Sequence, residues 1–360
     1  MNPVREPTHR QPEGGRAAAS LRLGLAALAS LCLPMLGAAQ GTAQSAGQGA
    51  AASASAAPAD ANPWLARIQN AATTRSFQGT LMFSAGGVVS GSKVTHYCDG
   101  REHYERVEVL DGRARLQYRH NDQLLTLWPA TKVAMVEQRD PVAEFPALPA
   151  VAGARTLENY ELRALGRDRV AGHDADVLML KPRDKYRFAQ RLWADHDTGL
   201  LLRNDVLGTA GEVLETLAFT DLQIGGKAMP DAILRPMKKL DGYRVVHPQI
   251  QRTQFEAEGW TLARPVAGFQ LVNCIKRPLD ATVDPSAQVQ VLQSVFTDGL
   301  THVSVFIEPF DPQRHKQAMG TSLGATHTLT SRRGDWWFTV VGEVPMATVQ
   351  MFESMLERKR

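Results

Sequence analysis

Asp195, His196 and Asp197 stand side by side, and His173 is followed by Asp174. A carboxyl next to an imidazole is the pairing that general acid–base catalysis uses. Both pairs sit in turn-forming contexts, however, with Thr198-Gly199 after the first and Gly172 before the second. Aspartate bonds its own backbone and glycine lets the chain reverse, so a polar turn accounts for both. His103 and His120 fall on strand-like runs and His315 in a Pro/Gln/Arg stretch, none beside a nucleophile. The chain contains no HExxH, CxxC or glycine-rich phosphate loop ending in Lys-Ser/Thr. No catalytic, cofactor or metal residue is therefore assigned. Cys98 and Cys274 could pair in an oxidising compartment or remain two isolated thiols, because separation in sequence does not decide separation in space.

The chemistry the sequence does carry is apolar. Phe77, Leu81 and Phe83, then Tyr97 and Tyr104, then Val133 and Met135, recur along alternating runs and could line a concave lipid-binding face. Leu116, Tyr118 and Trp193 belong to the same set. For any one of them, filling an ordinary core is the commoner role. A second surface is Arg332-Arg333 followed by Trp336-Trp337. Neighbouring strand residues point to opposite faces, so one tryptophan should enter the core and the other face outward as a partner-binding patch, unless a loop or the last helix covers it.

The elements that must position these residues are mostly strands. Asn62-Pro63 reads as a helix start, and apolar residues at helical spacing run to about residue 74. The period then changes to two. Alternating runs near 77–83, 94–98, 101–110, 114–119, 123–127 and 133–137 are broken by Asp-Gly, Asn-Asp and Pro-Ala, the signature of an antiparallel meander. Residues 139–156 hold three prolines with Phe145 and Leu148 among them, which reads as a mobile loop or a lid with short helices. Strands resume over 160–167, 176–180, 190–194, 200–207 and 213–222. About ten antiparallel strands should curl into a trough rather than lie flat. Residues 227–258 read as a linker, with a short strand over 243–246. Beyond it, runs near 269–276, 289–297, 303–307, 327–332 and 336–341 and a helix from about 345 to 358 form a smaller sheet backed by a helix. The fold class is mainly β with some helix: a curved antiparallel domain over 62–226 and a smaller α+β domain over 259–360.

Composition fits export. Residues 1–39 carry four arginines and two glutamates ahead of or within an apolar stretch, then Gly37-Ala38-Ala39, and read as a signal peptide. Cys32 follows Leu31 rather than a small residue and reads as part of the leader. Residues 40–61 are rich in Ala, Gly, Ser and Gln and cannot bury enough apolar surface to order themselves. The net charge of +3 falls to +1 once residues 1–39 are set aside. A nearly neutral chain gives no argument for nucleic acid.

Several stretches resemble the RseB/MucB family of periplasmic regulators of sigma-E-type envelope stress factors. They are SFQGTLMF (76–83), the run from Val170 to Leu222 that includes RLWADHDTGLLLRNDVL, FTDGLTHVSVFIEP (296–309) and RRGDWWFTVVGEVP (332–345). The match spans about 62 to 359. It implies a LolA/LppX-like half-barrel closed by helices, a smaller C-terminal domain, and a role without enzymatic activity. It also implies binding to the periplasmic part of a membrane-spanning anti-sigma factor of the RseA/MucA kind, which is thereby shielded from regulated proteolysis. Lipopolysaccharide, lipoprotein acyl chains or misassembled envelope components would be the inducer. The alternative on the same fold is a LolA-type lipoprotein or lipid carrier; an envelope hydrolase is weaker still. An inducer acts only if it binds the released state better than the partner-bound one, and the trough and the 139–156 loop are where that difference is expected to arise.

Overall fold

The computed structural model describes residues 63–100, 102–138, 157–227, 229–279 and 289–359. The expected signal peptide, the low-complexity segment and the Phe145/Leu148 loop lie outside them. Among the described residues, no helix is long and apolar enough to cross a membrane.

Helix α1 (Pro63–Thr74) is followed by six strands: β1 (Phe77–Ala85), β2 (Val88–Cys98), β3 (His103–Val109), β4 (Leu116–His120), β5 (Gln123–Trp128) and β6 (Val133–Gln138). Five more come after the 139–156 stretch: β7 (Tyr160–Val170), β8 (His173–Pro182), β9 (Ala189–Asp195), β10 (Leu201–Leu207) and β11 (Val213–Ile224). Each is paired antiparallel to its sequence neighbour, as the turn chemistry between alternating runs requires. The two meanders are joined where β1 pairs with β11, Phe77 opposite Ile224. Gly79 stands at that join, where a Cβ would run into the Asp221 carbonyl, so the close approach of the two strands needs a glycine.

Residues 227–258 are not a featureless linker. They hold helix α2 (Asp231–Lys238), the short strand β12 (Arg244–Val246), which adds to β6 in parallel, and β13 (Gln251–Arg252). The resulting sheet has twelve strands, ordered β12-β6-β5-β4-β3-β2-β1-β11-β10-β9-β8-β7. It is curved. His173 at the start of β8 reaches back to the Leu222 carbonyl on β11 at 3.1 Å, and the Trp193 indole on β9 donates to Asp168 on β7 at 2.9 Å.

Helix α1 covers one half of this sheet. Leu65 and Ile68, three residues apart on one helical face, pack on Tyr160, Leu178, Leu192 and Leu201. Helix α2 covers the other half, with Ile233 set against Tyr97, Tyr104, Tyr118, Leu125 and Leu127.

The second body begins with β14 (Trp260–Leu262) and continues through β15 (Gln270–Pro278), β16 (Gln290–Thr297), β17 (His302–Pro309), β18 (Met319–Leu323), β19 (Thr326–Arg333) and β20 (Trp336–Gly342) to α3 (Met346–Met355) and β21 (Leu356–Arg358). Its seven-stranded sheet runs β13-β15-β16-β17-β20-β19-β18, while β14 and β21 form a separate pair. Helix α3 lays Val349 and Phe352 on a core of Phe296, Val305, Phe338 and Val340.

Candidate functional site

The residues expected to line one trough divide between the two faces of the large sheet. From β1 to β6 the register runs without a bulge: Gly79 lies opposite Val94, Val94 opposite Val107, Val107 opposite Gln117, Gln117 opposite Thr126 and Thr126 opposite Met135. Directly opposed residues share a face. Phe77, Leu81, Phe83, Val133 and Met135 therefore share one side, and Tyr97 and Tyr104, with Leu116 and Tyr118, point to the other. That other side is filled by α2, so Tyr97 and Tyr104 are core beneath a helix rather than lining of a ligand face. The missed signal was the helix itself, eight residues with Pro236 inside, too short and interrupted to stand out.

The first side is not purely apolar. Phe77, Leu81 and Val133 are buried, and Phe83 and Met135 are half-buried. Between them sit His96, Glu105 and Arg119, all buried. His96 Nδ1 lies 3.1 Å from Glu105, and Arg119 Nη1 lies 3.9 Å from the same carboxylate. The His96 ring stacks on Phe77 with centroids 5.1 Å apart. The Glu105 and Arg119 charges are tolerated there because they face each other.

In the Arg-Trp motif one ring is buried and the other is partly covered. Trp337 is buried: the 310–315 turn folds over it, and its ring stacks on His315 at 4.7 Å. Trp336 is half-buried edge-on to Trp260, with the Arg358 guanidinium 4.5 Å above it. Neither ring is a free outward anchor. What the motif does expose is guanidinium. Arg332 lies 3.7 Å over Phe310, while Arg333 is tied to the Leu356 carbonyl at 2.9 Å and the Glu353 carboxylate at 2.6 Å.

Cys98 and Cys274 are both free thiols. Cys98 ends β2 beside Ser76, whereas Cys274 lies in the core of the smaller sheet against Ser294, so a bridge would have to join two separate packed bodies. Asp195 locks its own turn, and His173 lies 3.5 Å from it. Asp195 accepts the Thr198 amide at 2.8 Å and its hydroxyl at 2.6 Å, and His196 reaches Asp176 at 2.9 Å.

Sequence reasoning missed the seam between the two bodies. Arg187, just before β9, donates from Nε to Asp298 at 2.5 Å, and the Tyr160 hydroxyl donates to the same carboxylate at 3.0 Å. Elsewhere along the seam Glu215 of β11 accepts the Ala325 and Thr326 amides at 2.9 and 3.1 Å. The Thr348 hydroxyl donates to the Tyr186 carbonyl at 3.0 Å. No sequence signal links residues 111 apart; only the register of two sheets brings them together.

The comparisons agree with this two-body reading. Residues 60–239 match the family model of the MucB/RseB N-terminal domain, and residues 254–357 match that of the MucB/RseB C-terminal domain. The sigma factor AlgU regulatory protein MucB of Pseudomonas aeruginosa is 30% identical over 305 residues, 81% of this chain and 89% of the relative. The sigma-E factor regulatory protein RseB of Escherichia coli K12 is 26% identical over 247 residues, 67% of this chain and 73% of the relative. A crystal structure of MucB in complex with MucA(peri) superposes with a TM-score of 0.62 at 27% identity, covering 84% of this chain and all (100%) of that one.

Proposed function

Because the chain belongs to the MucB/RseB family, we propose that it is a negative regulator of a sigma-E-type factor, acting in the periplasm. It binds the periplasmic part of a membrane-spanning anti-sigma factor and shields it from regulated proteolysis. The observation that carries this is the coverage of both family domains together with the likeness, over the whole length of the solved chain, to MucB bound to MucA(peri). A lipid or lipoprotein carrier would use the curved sheet alone. The second sheet, docked through buried polar contacts, argues for the regulator. The role requires holding a partner and no bond-making chemistry.

Within this reading the surface around Arg332 and Arg333 contributes to partner contact through its guanidinium groups rather than through a tryptophan. The half-buried Phe83 and Met135 on the first face of the large sheet are where an acyl chain of an inducer would lie. Co-purification tests the function. Tagged protein is expressed in its own envelope and its partners are recovered. A single-span anti-sigma factor, protected from cleavage in a reconstituted protease assay, is the expected result. Recovery of many lipoproteins and no anti-sigma factor would instead establish the carrier.

A further inference from the structure

The seam between the two sheets has two ends of opposite electrostatic character. At one end the Arg187 and Asp298 side chains, both fully enclosed at 0% exposure, form an ion pair. Arg187 also donates to the Ala267 carbonyl at 2.7 Å and to Asp184. At the other end, among the described residues, the buried carboxyl of Glu215 is paired with no cation. One of its oxygens accepts the Ala325 amide, the Thr326 amide and the Thr326 hydroxyl, the last at 3.1 Å. Its charged neighbour is a second carboxyl, Glu343, just beyond β20. The tip of the β18–β19 hairpin is wedged into this end. Gly324 there has φ of +58°, and a Cβ on it would stand 2.5 Å from Glu215 Cγ and 2.8 Å from Ala85 Cβ.

We propose that the β18–β19 hairpin tip is a releasable latch and the Arg187–Asp298 pair a fixed pivot, so that the smaller body swings open at the Glu215 end while staying attached at Arg187. The two ends differ in what opening leaves behind. Separating Arg187 from Asp298 strands two buried opposite charges that solvation must rescue. Separating Glu215 from Thr326 breaks hydrogen bonds that water replaces and lets the carboxyl ionise in solvent, away from Glu343. Opening uncovers the small apolar cluster of Phe188, Val206 and Ala325, with Leu214 beside it.

The latch has a pH sign. Burial first, and Glu343 second, push Glu215 up to about 8, and burial raises Glu343 as well. The closed latch therefore holds a proton that the opened, hydrated carboxyl releases. Closure is favoured most below the ordinary carboxylate range and weakens as pH rises toward about 8. Other titratable groups on the packed elements are otherwise engaged. His327 of β19 stacks on Phe188 and bonds the Ala325 carbonyl, Asp205 of β10 is held by Arg203, and Glu212 of the β10–β11 turn binds the Ala210 amide. The latch is a property of the chain alone and does not rest on the regulator reading.

Hydrogen exchange on the whole protein at about pH 6 and about pH 8.5, corrected for intrinsic rates, tests it. Protection of the Ala325 and Thr326 amides should fall by about tenfold or more at the higher pH, while the amides of β17 keep theirs. Glu215→Gln retains an accepting oxygen but cannot ionise, and should abolish the pH response. Equal protection at both pH values, a response that persists in Glu215→Gln, or parallel loss of protection in β17 would each overturn the latch.

Discussion

Arg187 and Asp298, 111 residues apart in sequence and on different sheets, form an ion pair with no exposed side-chain surface. Burial opposes either charge alone; their mutual contact, the bonds from Tyr160 and the Leu300 and Thr301 amides to Asp298, and those from Arg187 to Ala267 and Asp184 make the pair tenable. Removing one partner leaves the other charged and enclosed. Arg187→Met should therefore cost about 3–5 kcal/mol of unfolding free energy. The double variant Arg187→Met with Asp298→Leu should recover much of that loss. Urea denaturation of the four proteins in the cycle measures it, and a double variant no better than the single would contradict the assignment.

Gly324 and Gly334 form a natural control pair, because both have φ of +58°. Nothing lies within 4 Å of the place a Cβ would take on Gly334, whereas at Gly324 that space is occupied by Glu215, Ala85 and Leu214. Gly334→Ala should cost only the backbone penalty of about 1 kcal/mol. Gly324→Ala adds overpacking of about 1–3 kcal/mol to the same penalty. Denaturation midpoints at constant m-value report the difference; equal midpoints would mean the hairpin tip is not wedged.

The two thiols should differ sharply in reactivity. Cys274 is buried, accepts a bond from the Ser294 hydroxyl at 3.3 Å, and burial pushes its thiol up. Cys98 is only half-buried at a strand end. The thiolate is the reacting species, so an aromatic disulfide reagent should titrate one thiol quickly in the native chain starting at residue 62, and the second only after denaturation. Two fast thiols, or none, would contradict the packing around Cys274.

Much of the fold was legible because antiparallel strands advertise themselves. Asp-Gly and Asn-Asp breaks between alternating runs placed β3 to β6 and β16 to β17 to within a few residues, and apolar residues at helical spacing marked α1 and α3. Local pattern failed where tertiary partners decide. Tyr97 and Tyr104 alternate like lining residues, and only α2, hidden in a Pro-rich charged stretch, makes them core. Alternation alone could not say which tryptophan is buried; Trp337 is, stacked on His315 twenty-two residues upstream. Strand β18, MGTSL, carries no alternation because four of its five residues are exposed. No local pattern marks Arg187, Glu215 or Asp298 as buried, since burial of a charge is a property of the assembled seam.

Helix α2 supplies the last prediction. If 231–238 were part of a linker, replacing its apolar residues would leave stability unchanged. Ile233, however, is 1% exposed and sits on Tyr97, Tyr118 and Leu127. Truncating a fully buried isoleucine removes its transfer energy and leaves a cavity, at about 2–5 kcal/mol. Ile233→Ala should lower the denaturation midpoint accordingly and bring tyrosine fluorescence changes in the β2–β4 region. Arg235→Ala, on the exposed face and paired only to Asp231 at 3.0 Å, should cost less than about 0.5 kcal/mol. Two variants of equal stability would return α2 to the status of a tether and reopen the face carrying Tyr97 and Tyr104 as a surface for ligands.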